Sequence, residues 1–426
     1  MTTQDGQDSQ DGQDSQDSTV GLTGKTYPFE RKCPFAMPEE FAWARENEPV
    51  AQVKLQSGDL AWLITKYGDV KAALGDDRFS RTINREGAAR VDTGFSADRS
   101  SPVFTFGGSI SQPPGHTRWR RIVNKAFTQR QADAMRAEIA RHTEEVLDEL
   151  EARGPSFDLM ADYAYKLPIR IICDLLGIPN ESRPEFTELA AKLTRRDMQS
   201  GFAAFGEALQ GIGRYAVGLI VRKRKNLGDD LLSTLIQLRD DDETQLSNEE
   251  LVSTVILLLM AGYESTAVQF GNAFYALFRH PEQLALLRER PELIGGAVEE
   301  ILRWAQMGTG FAVAKFATED IPMPGATIPA GGTVFVSLGS GNRDQEVFGP
   351  DAEKFDVTRV APARQLAFGS GPHFCLGAAL ARAEMQEGIL RLLTRFPNLR
   401  YDGDLDAVPL ASNLFTYYPR ELPVIA

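Results

Sequence analysis

Residues 368–377 read FGSGPHFCLG, a lone cysteine in a glycine-punctuated loop, and the reading of this stretch decides the fold. The residues that follow, LGAALARAEMQEGILRLLTRF (376–396), repeat apolar side chains at helical spacing, so Cys375 is expected at or near a helix N-terminus. Unpaired backbone N–H groups and the helix dipole put partial positive charge there, which favours a thiolate. Gly369 and Gly371 let the backbone adopt unusual conformations and approach a flat object closely. Six fixed positions (Phe368, Gly369, Gly371, His373, Cys375, Gly377) coincide by chance on the order of once in 10⁸ starts at average residue usage. A buried structural cysteine is the competing reading, since that is the usual fate of a free thiol. The loop reads as a device for holding a thiolate against something flat.

Composition sets the frame around it. A chain of 426 residues, 42% hydrophobic and 25% charged, has the makings of one large globular unit with a sizeable core. Its net charge of −13 argues against nucleic acid or an anionic membrane as the main partner. The three cysteines, Cys33, Cys173 and Cys375, are few, far apart and odd in number, so a reducing cytoplasm is expected rather than a disulfide framework. No N-terminal stretch joins a basic start to an apolar core, and the longest apolar run, VILLLMAG at 255–262, is too short to span a bilayer. Neither signal peptide nor membrane anchor is expected.

Residues 4–18, QDGQDSQDGQDSQDS, contain no apolar side chain and cannot bury enough surface to offset their ordering entropy. A disordered acidic tail over 1–26 is expected, followed by a single domain over 27–426 with order beginning near Tyr27. Short strand-like runs (VAQVKL, LAWLITK) precede a series of helical patterns, among them the basic stretch HTRWRRIVNKAFT after the breaker SQPPG. The longest helix candidate opens at Ser247, where Ser-Asn-Glu-Glu forms a capping box with Glu250. Run on to Arg279, it would be ~50 Å long at 1.5 Å per residue and would cross the middle of the domain. The whole reads as mainly α with a minor β portion.

Three further stretches bear on chemistry. In EEILRW, Glu300 and Arg303 share a helix face at i, i+3; alone, such a pair is usually a surface ion pair. FDVTR ends in Arg359, within reach of the same region if the chain folds back before the cysteine loop. MAGYESTA (260–267) places a glycine, an acid and hydroxyls in the middle of the apolar helix, which is poor helix-interior chemistry. That suggests a kink and a proton path, with a satisfied core polar cluster as the plainer alternative.

Taken together, the chain resembles a cytochrome P450 of the soluble bacterial type over nearly its whole length after the tail. The family's haem loop is similar to FGSGPHFCLG, its Glu-x-x-Arg helix to Glu300-Ile-Leu-Arg303, and its acid–alcohol pair to Glu264-Ser265. PPGHTRWRR, ATEDI, IPAGGTV, GNRD and FDVTR agree in the family's order. The resemblance implies a P450 fold around a buried haem b (iron protoporphyrin IX), with Cys375 the axial thiolate and metal ligand. It implies Phe368 and Gly369 beside the sulfur, and His116, Arg120 and His373 at the haem propionates. Glu300, Arg303 and Arg359 would form a structural ion network. Ala261 and Gly262 would shape the groove where oxygen binds, with Glu264 and Ser265 delivering protons. The substrate pocket would draw on Phe104, Phe106, Ile110, Met307, Thr309, Phe311, Val313, Asn413, Leu414 and Phe415. This aromatic-rich lining suits an apolar or aromatic small molecule.

Two departures stand out. Lys315 occupies the place of the family's common propionate-binding arginine, a point charge instead of a planar fork. Ser265 stands where threonine is usual and lacks the methyl that limits hydroxyl rotation. The expected function is a cytoplasmic haem-thiolate monooxygenase of bacterial secondary metabolism, monomeric, reduced by a ferredoxin and ferredoxin reductase. An oxidative C–C or C–O coupling catalyst on the same haem is the alternative, and a non-catalytic haem sensor or carrier is the rival from another class. The Glu264-Ser265 pair argues against the carrier, which needs no proton relay.

Overall fold

The apolar run after Ser247 forms the helix at the middle of the molecule. The computed structural model describes residues 21–30, 36–81, 87–90, 108–194, 201–242, 244–307, 314–412 and 417–426. The capping box is present: Glu250 N donates to Ser247 Oγ at 3.1 Å, and Ser247 N donates to Glu250 Oε2 at 2.9 Å. The helix does not run unbroken to Arg279. It spans Asn248–Ala261, turns through Gly262 and Tyr263, and resumes over Glu264–Arg279. The cause lies at Gly262, where an added Cβ would come within 2.8 Å of Ile172 Cδ1 and 2.9 Å of the Leu258 carbonyl oxygen. Only glycine lets the chain bend here against the helix Lys166–Leu175.

Every residue from Thr266 to Phe278 is buried, so the second half is apolar all round because it is wrapped all round. By length and composition Asn248–Arg279 is apolar enough to cross a bilayer, with a mean hydropathy of 1.6 in its best stretch. Half of that stretch is buried inside the protein, as suits a core helix.

The cysteine loop is anchored to this core by the helix behind it, Ala378–Arg395, which packs on Arg136–Arg153. Gly388 marks the crossing: an added Cβ would lie 2.7 Å from Phe270 Cζ, and the Tyr163 hydroxyl donates to the Gly388 carbonyl at 2.7 Å. Close backbone approach fixes the position of the helix, and so of the loop that precedes it.

The minor β portion is mainly a six-stranded sheet in the order Thr26–Tyr27, Val50–Leu55, Leu60–Ile64, Thr333–Val336, Ala314–Ala317, Phe79–Ser80. The two strands read from VAQVKL and LAWLITK pair antiparallel, Val50 opposite Ile64. On the N-terminal side the described residues pack against this sheet. Leu22 is buried and Thr26–Tyr27 pairs in parallel with Lys54–Leu55. The reason is apolar contact: Leu22, Tyr27 and Phe29 share a cluster with Phe41 and Phe335. The repeat at 4–18 and Cys33 lie outside the described residues.

Candidate active site

The loop closes on itself around Cys375. Cys375 N donates to the Phe368 carbonyl at 2.9 Å, Phe374 N to Gly371 O at 3.0 Å, and Gly369 N to Leu366 O at 2.7 Å. Gly369 and Gly371 have φ of +71° and +72°, conformations that cost any other residue strain. At Gly371 an added Cβ would also sit 2.7 Å from the Leu74 carbonyl oxygen, so this glycine serves a close approach as well as a turn. The helix begins at Ala378 with Gly377 as its cap, two residues beyond the cysteine. Burial pushes the Cys375 thiol up, opposed by the Gly377 backbone N–H and by the charges of Arg120 and Arg382. Phe368 covers one side, with the Arg382 guanidinium 4.5 Å over its ring. Cys173, by contrast, is buried among helices, and burial raises it to about 12, an inert structural thiol.

Beside the loop, basic side chains gather. The rings of His116 and His373 lie 4.0 Å apart, brought together from the basic helix Gly115–Val123 and the cysteine loop. Lys315 is buried, and its ammonium donates to the carbonyls of Leu74 (3.5 Å) and Phe79 (3.3 Å). Burial and the Arg81 guanidinium lower Lys315 to about 8, with Asp76 and Asp77 acting against this from a distance. Burial, then Arg81, His116, Lys315 and Arg120, hold His373 down to about 3. Burial lowers His116 too, helped by Arg120 and Arg81. Arg120 reaches the Phe374 carbonyl, next to the cysteine. The two imidazoles can donate hydrogen bonds, and Arg120 and Lys315 can add charge, to an anion placed beside the loop. A flat group carrying two carboxylates fits the need, and haem is such a group. Arg81 was not singled out in the sequence: nothing local distinguishes it, and only the fold carries it to the other four.

Behind the loop the expected ion network is present. Arg303 binds Glu300 through two bonds, Nε to Oε2 and Nη2 to Oε1, both 2.7 Å, with both side chains buried. The remaining donors of Arg303 reach the carbonyls of Asn342, Ala352 and Lys354 at 2.7–2.9 Å. Arg359 Nε joins Glu300 Oε1 at 3.3 Å. Removing one partner of such a buried pair typically costs roughly 3–5 kcal/mol, which suits a folding role.

On the other side, at the break in the central helix, the Ser265 hydroxyl donates to the Ala261 carbonyl at 2.6 Å. Its proton is engaged and its lone pairs remain available. Glu264 is half-buried, and its charge acts on the hydroxyls of Tyr165 and Tyr418. Of the expected pocket residues, Met307 is half-buried, and its carbonyl accepts from Tyr417 N at 2.8 Å. Ile110 is a correction: it packs in the helical core with Trp119 and Val123, 2% exposed, so it has no face left for a ligand. Phe104, Phe106, Thr309, Phe311, Val313, Asn413, Leu414 and Phe415 lie outside the described residues.

Comparison with known proteins agrees with this geometry. The cytochrome P450 family profile matches residues 36–404. The chain is 40% identical to mycinamicin IV hydroxylase/epoxidase of Micromonospora griseorubida over 410 residues, 94% of this chain and 98% of that protein. It is 38% identical to 6-deoxyerythronolide B hydroxylase of Saccharopolyspora erythraea over 389 residues, 90% of this chain and 94% of that one. Among solved structures, the LnmA cytochrome P450 hydroxylase from the leinamycin biosynthetic pathway of Streptomyces atroolivaceus superposes with a TM-score of 0.84. That pair is 37% identical, covering 94% of this chain and all of the other.

Proposed function

The chain belongs to the cytochrome P450 family and is a haem-thiolate monooxygenase, and from that premise we propose that it oxygenates a bulky, mostly apolar natural product. The observation that carries the site assignment is the glycine-turned loop that presents Cys375, with His116, His373, Arg120 and Lys315 gathered beside it. Cys375 would hold the iron, and His116, Arg120, Lys315, His373 and Arg81 would hold the propionates. When bound, haem supplies oxygen activation, with the thiolate favouring O–O cleavage.

The rest falls to the side chains. Ser265, its proton held by the Ala261 carbonyl, offers lone pairs toward the groove left by the bend at Gly262. Glu264 holds the proton that must reach that groove. Hydroxylation or epoxidation is the outcome we favour over coupling, because the named relatives are hydroxylases and epoxidases. Their names also support a substrate like mycinamicin IV or 6-deoxyerythronolide B. A ligand panel containing both should give the spectral shift that follows loss of iron-bound water with at least one of the two. A shift with small planar aromatics alone would overturn the substrate class.

For electrons we look to a ferredoxin and its reductase in the cytoplasm. Arg121 and Lys125 are exposed one turn apart on and just beyond the basic helix. Two other basic side chains of this region are engaged: Arg118 pairs with Glu250, and Arg382 with Glu299. In a chain of net charge −13 this local positive patch suits an acidic partner. Arg121→Glu is expected to slow reduction by ferredoxin, and more so at low salt. A rate unchanged by the reversal at every salt concentration would remove the patch from the account.

A further inference from the structure

The helices Arg136–Arg153 and Lys166–Leu175 meet across a cluster of side chains that the oxygenation chemistry does not use. Glu138 and His142 stand at i, i+4 on one face of the first helix, and Asp174 comes from the last turn of the second. One oxygen of each carboxylate and a ring nitrogen of His142 all lie within 4.8 Å of one another. His142 is 4% exposed, an imidazole sunk beneath a charged surface. Its two nitrogens face carboxylates on opposite sides: Nε2 meets Asp174 Oδ2, and Nδ1 lies 3.2 Å from Glu145 Oε2. A metal-ligating histidine is held in this way, with a carboxylate orienting the ring through one nitrogen while the other faces the ion. A cation already stands at the focus. Arg141 Nη2 is 2.7 Å from Glu138 Oε2, 3.0 Å from His142 Nε2 and 3.5 Å from Asp174 Oδ2, so one nitrogen touches all three groups.

We propose that Glu138, His142 and Asp174 form a Zn²⁺ site, with Arg141 as a plug that the metal displaces. One imidazole and two carboxylates suit zinc, which takes nitrogen and oxygen ligands at about 2.0–2.2 Å. The set does not suit Ca²⁺, which takes oxygen ligands in larger number. Two carboxylate charges around a neutral imidazole balance the charge of the ion. Arg141 is half exposed, and its pairs with Glu138 and Asp174 lie at the surface, where such pairs are worth little. Its Nη1 holds Glu145 at 2.5 Å, a resting place for the guanidinium beside the filled site. Asp174 extends the consequence. Its Oδ1 accepts from Arg183 Nη2 at 2.6 Å, and Arg183 Nε donates to the Ile178 carbonyl at 3.1 Å. Zinc on Oδ2 therefore ties both helices to the start of the helix Arg183–Thr194, and it stabilises the folded chain. Of the other three histidines, His116 and His373 belong to the haem site, and His280 has the exposed Glu282 at 3.6 Å.

The test is a calorimetric titration of Zn²⁺ into the haem-loaded, untagged chain, with Ca²⁺ as the control cation. Zinc is expected to bind and to raise the unfolding temperature, and Ca²⁺ at the same concentration to do neither. Glu145→Ala, which leaves the three ligands in place, is expected to weaken zinc binding roughly 10–100-fold through loss of the group that orients His142. Glu138→Gln removes a ligand from an exposed position and should cost at least as much, whereas Arg141→Gln should tighten binding. His142→Gln should abolish it; if that buried change unfolds the chain, Glu138→Gln decides. Zinc bound equally well by the unaltered protein and by Glu138→Gln would overturn the proposal, as would Ca²⁺ bound as tightly as zinc. Binding that appears only after Arg141→Gln would overturn it too, since the arginine would then be a permanent partner of these side chains.

Discussion

Glu264→Gln is expected to leave haem content and substrate binding intact while lowering turnover by roughly 10²–10⁴, the usual worth of a positioned general acid. The amide keeps the shape of the side chain and loses the proton it can give. Position is what makes the effect large. Glu264 opens the helix segment Glu264–Arg279 directly after the bend, on a half-buried face where bulk water is thinned. Ser265→Ala is the companion change. It frees the Ala261 carbonyl now capped at 2.6 Å and removes the hydroxyl lone pairs from the groove. Its main signature should be more peroxide per electron consumed rather than lost binding. Ser265→Thr would restore the family's usual residue and is expected to tighten coupling. Unchanged product yield per electron in both Glu264→Gln and Ser265→Ala would hand the protons to substrate or ordered water.

Much of this was legible in the residues because local rules governed it. The capping box at Ser247 and Glu250, the hairpin strands at 50–64, the turn glycines of the cysteine loop and the Glu300–Arg303 spacing all express short-range geometry. The bend was foreshadowed by Gly262 and the polar residues after it; its depth was set by Ile172, from a helix about ninety residues earlier in the chain. What was not legible came from distance. Arg81 comes to act on His116, Lys315 and His373 only because the fold carries it there. The partners of Arg118 and Arg382, Glu250 and Glu299, likewise arrive from other helices. Ile110 read as pocket wall because an apolar side chain before the basic helix suits either a pocket or a core, and packing against Trp119 decided it. Leu22 likewise is buried through partners from elsewhere in the chain, in a cluster with Phe41 and Phe335.

The thiolate itself bears the greatest expected effect. Cys375 is buried, which raises its thiol, yet the Gly377 N–H, Arg120 and Arg382 all favour the anion, so a metal cation completes what they begin. Serine in its place keeps the loop's hydrogen bonds, since Cys375 N to Phe368 O is a backbone contact, but its hydroxyl does not give up its proton to bind iron as readily. The decisive measurement is the absorption spectrum of the reduced carbon monoxide complex, recorded for the unaltered protein and for Cys375→Ser at matched haem content. The account predicts a thiolate-type Soret band in the first and its complete loss in the second. A thiolate-type band that survives Cys375→Ser, or none in the unaltered protein, would contradict it.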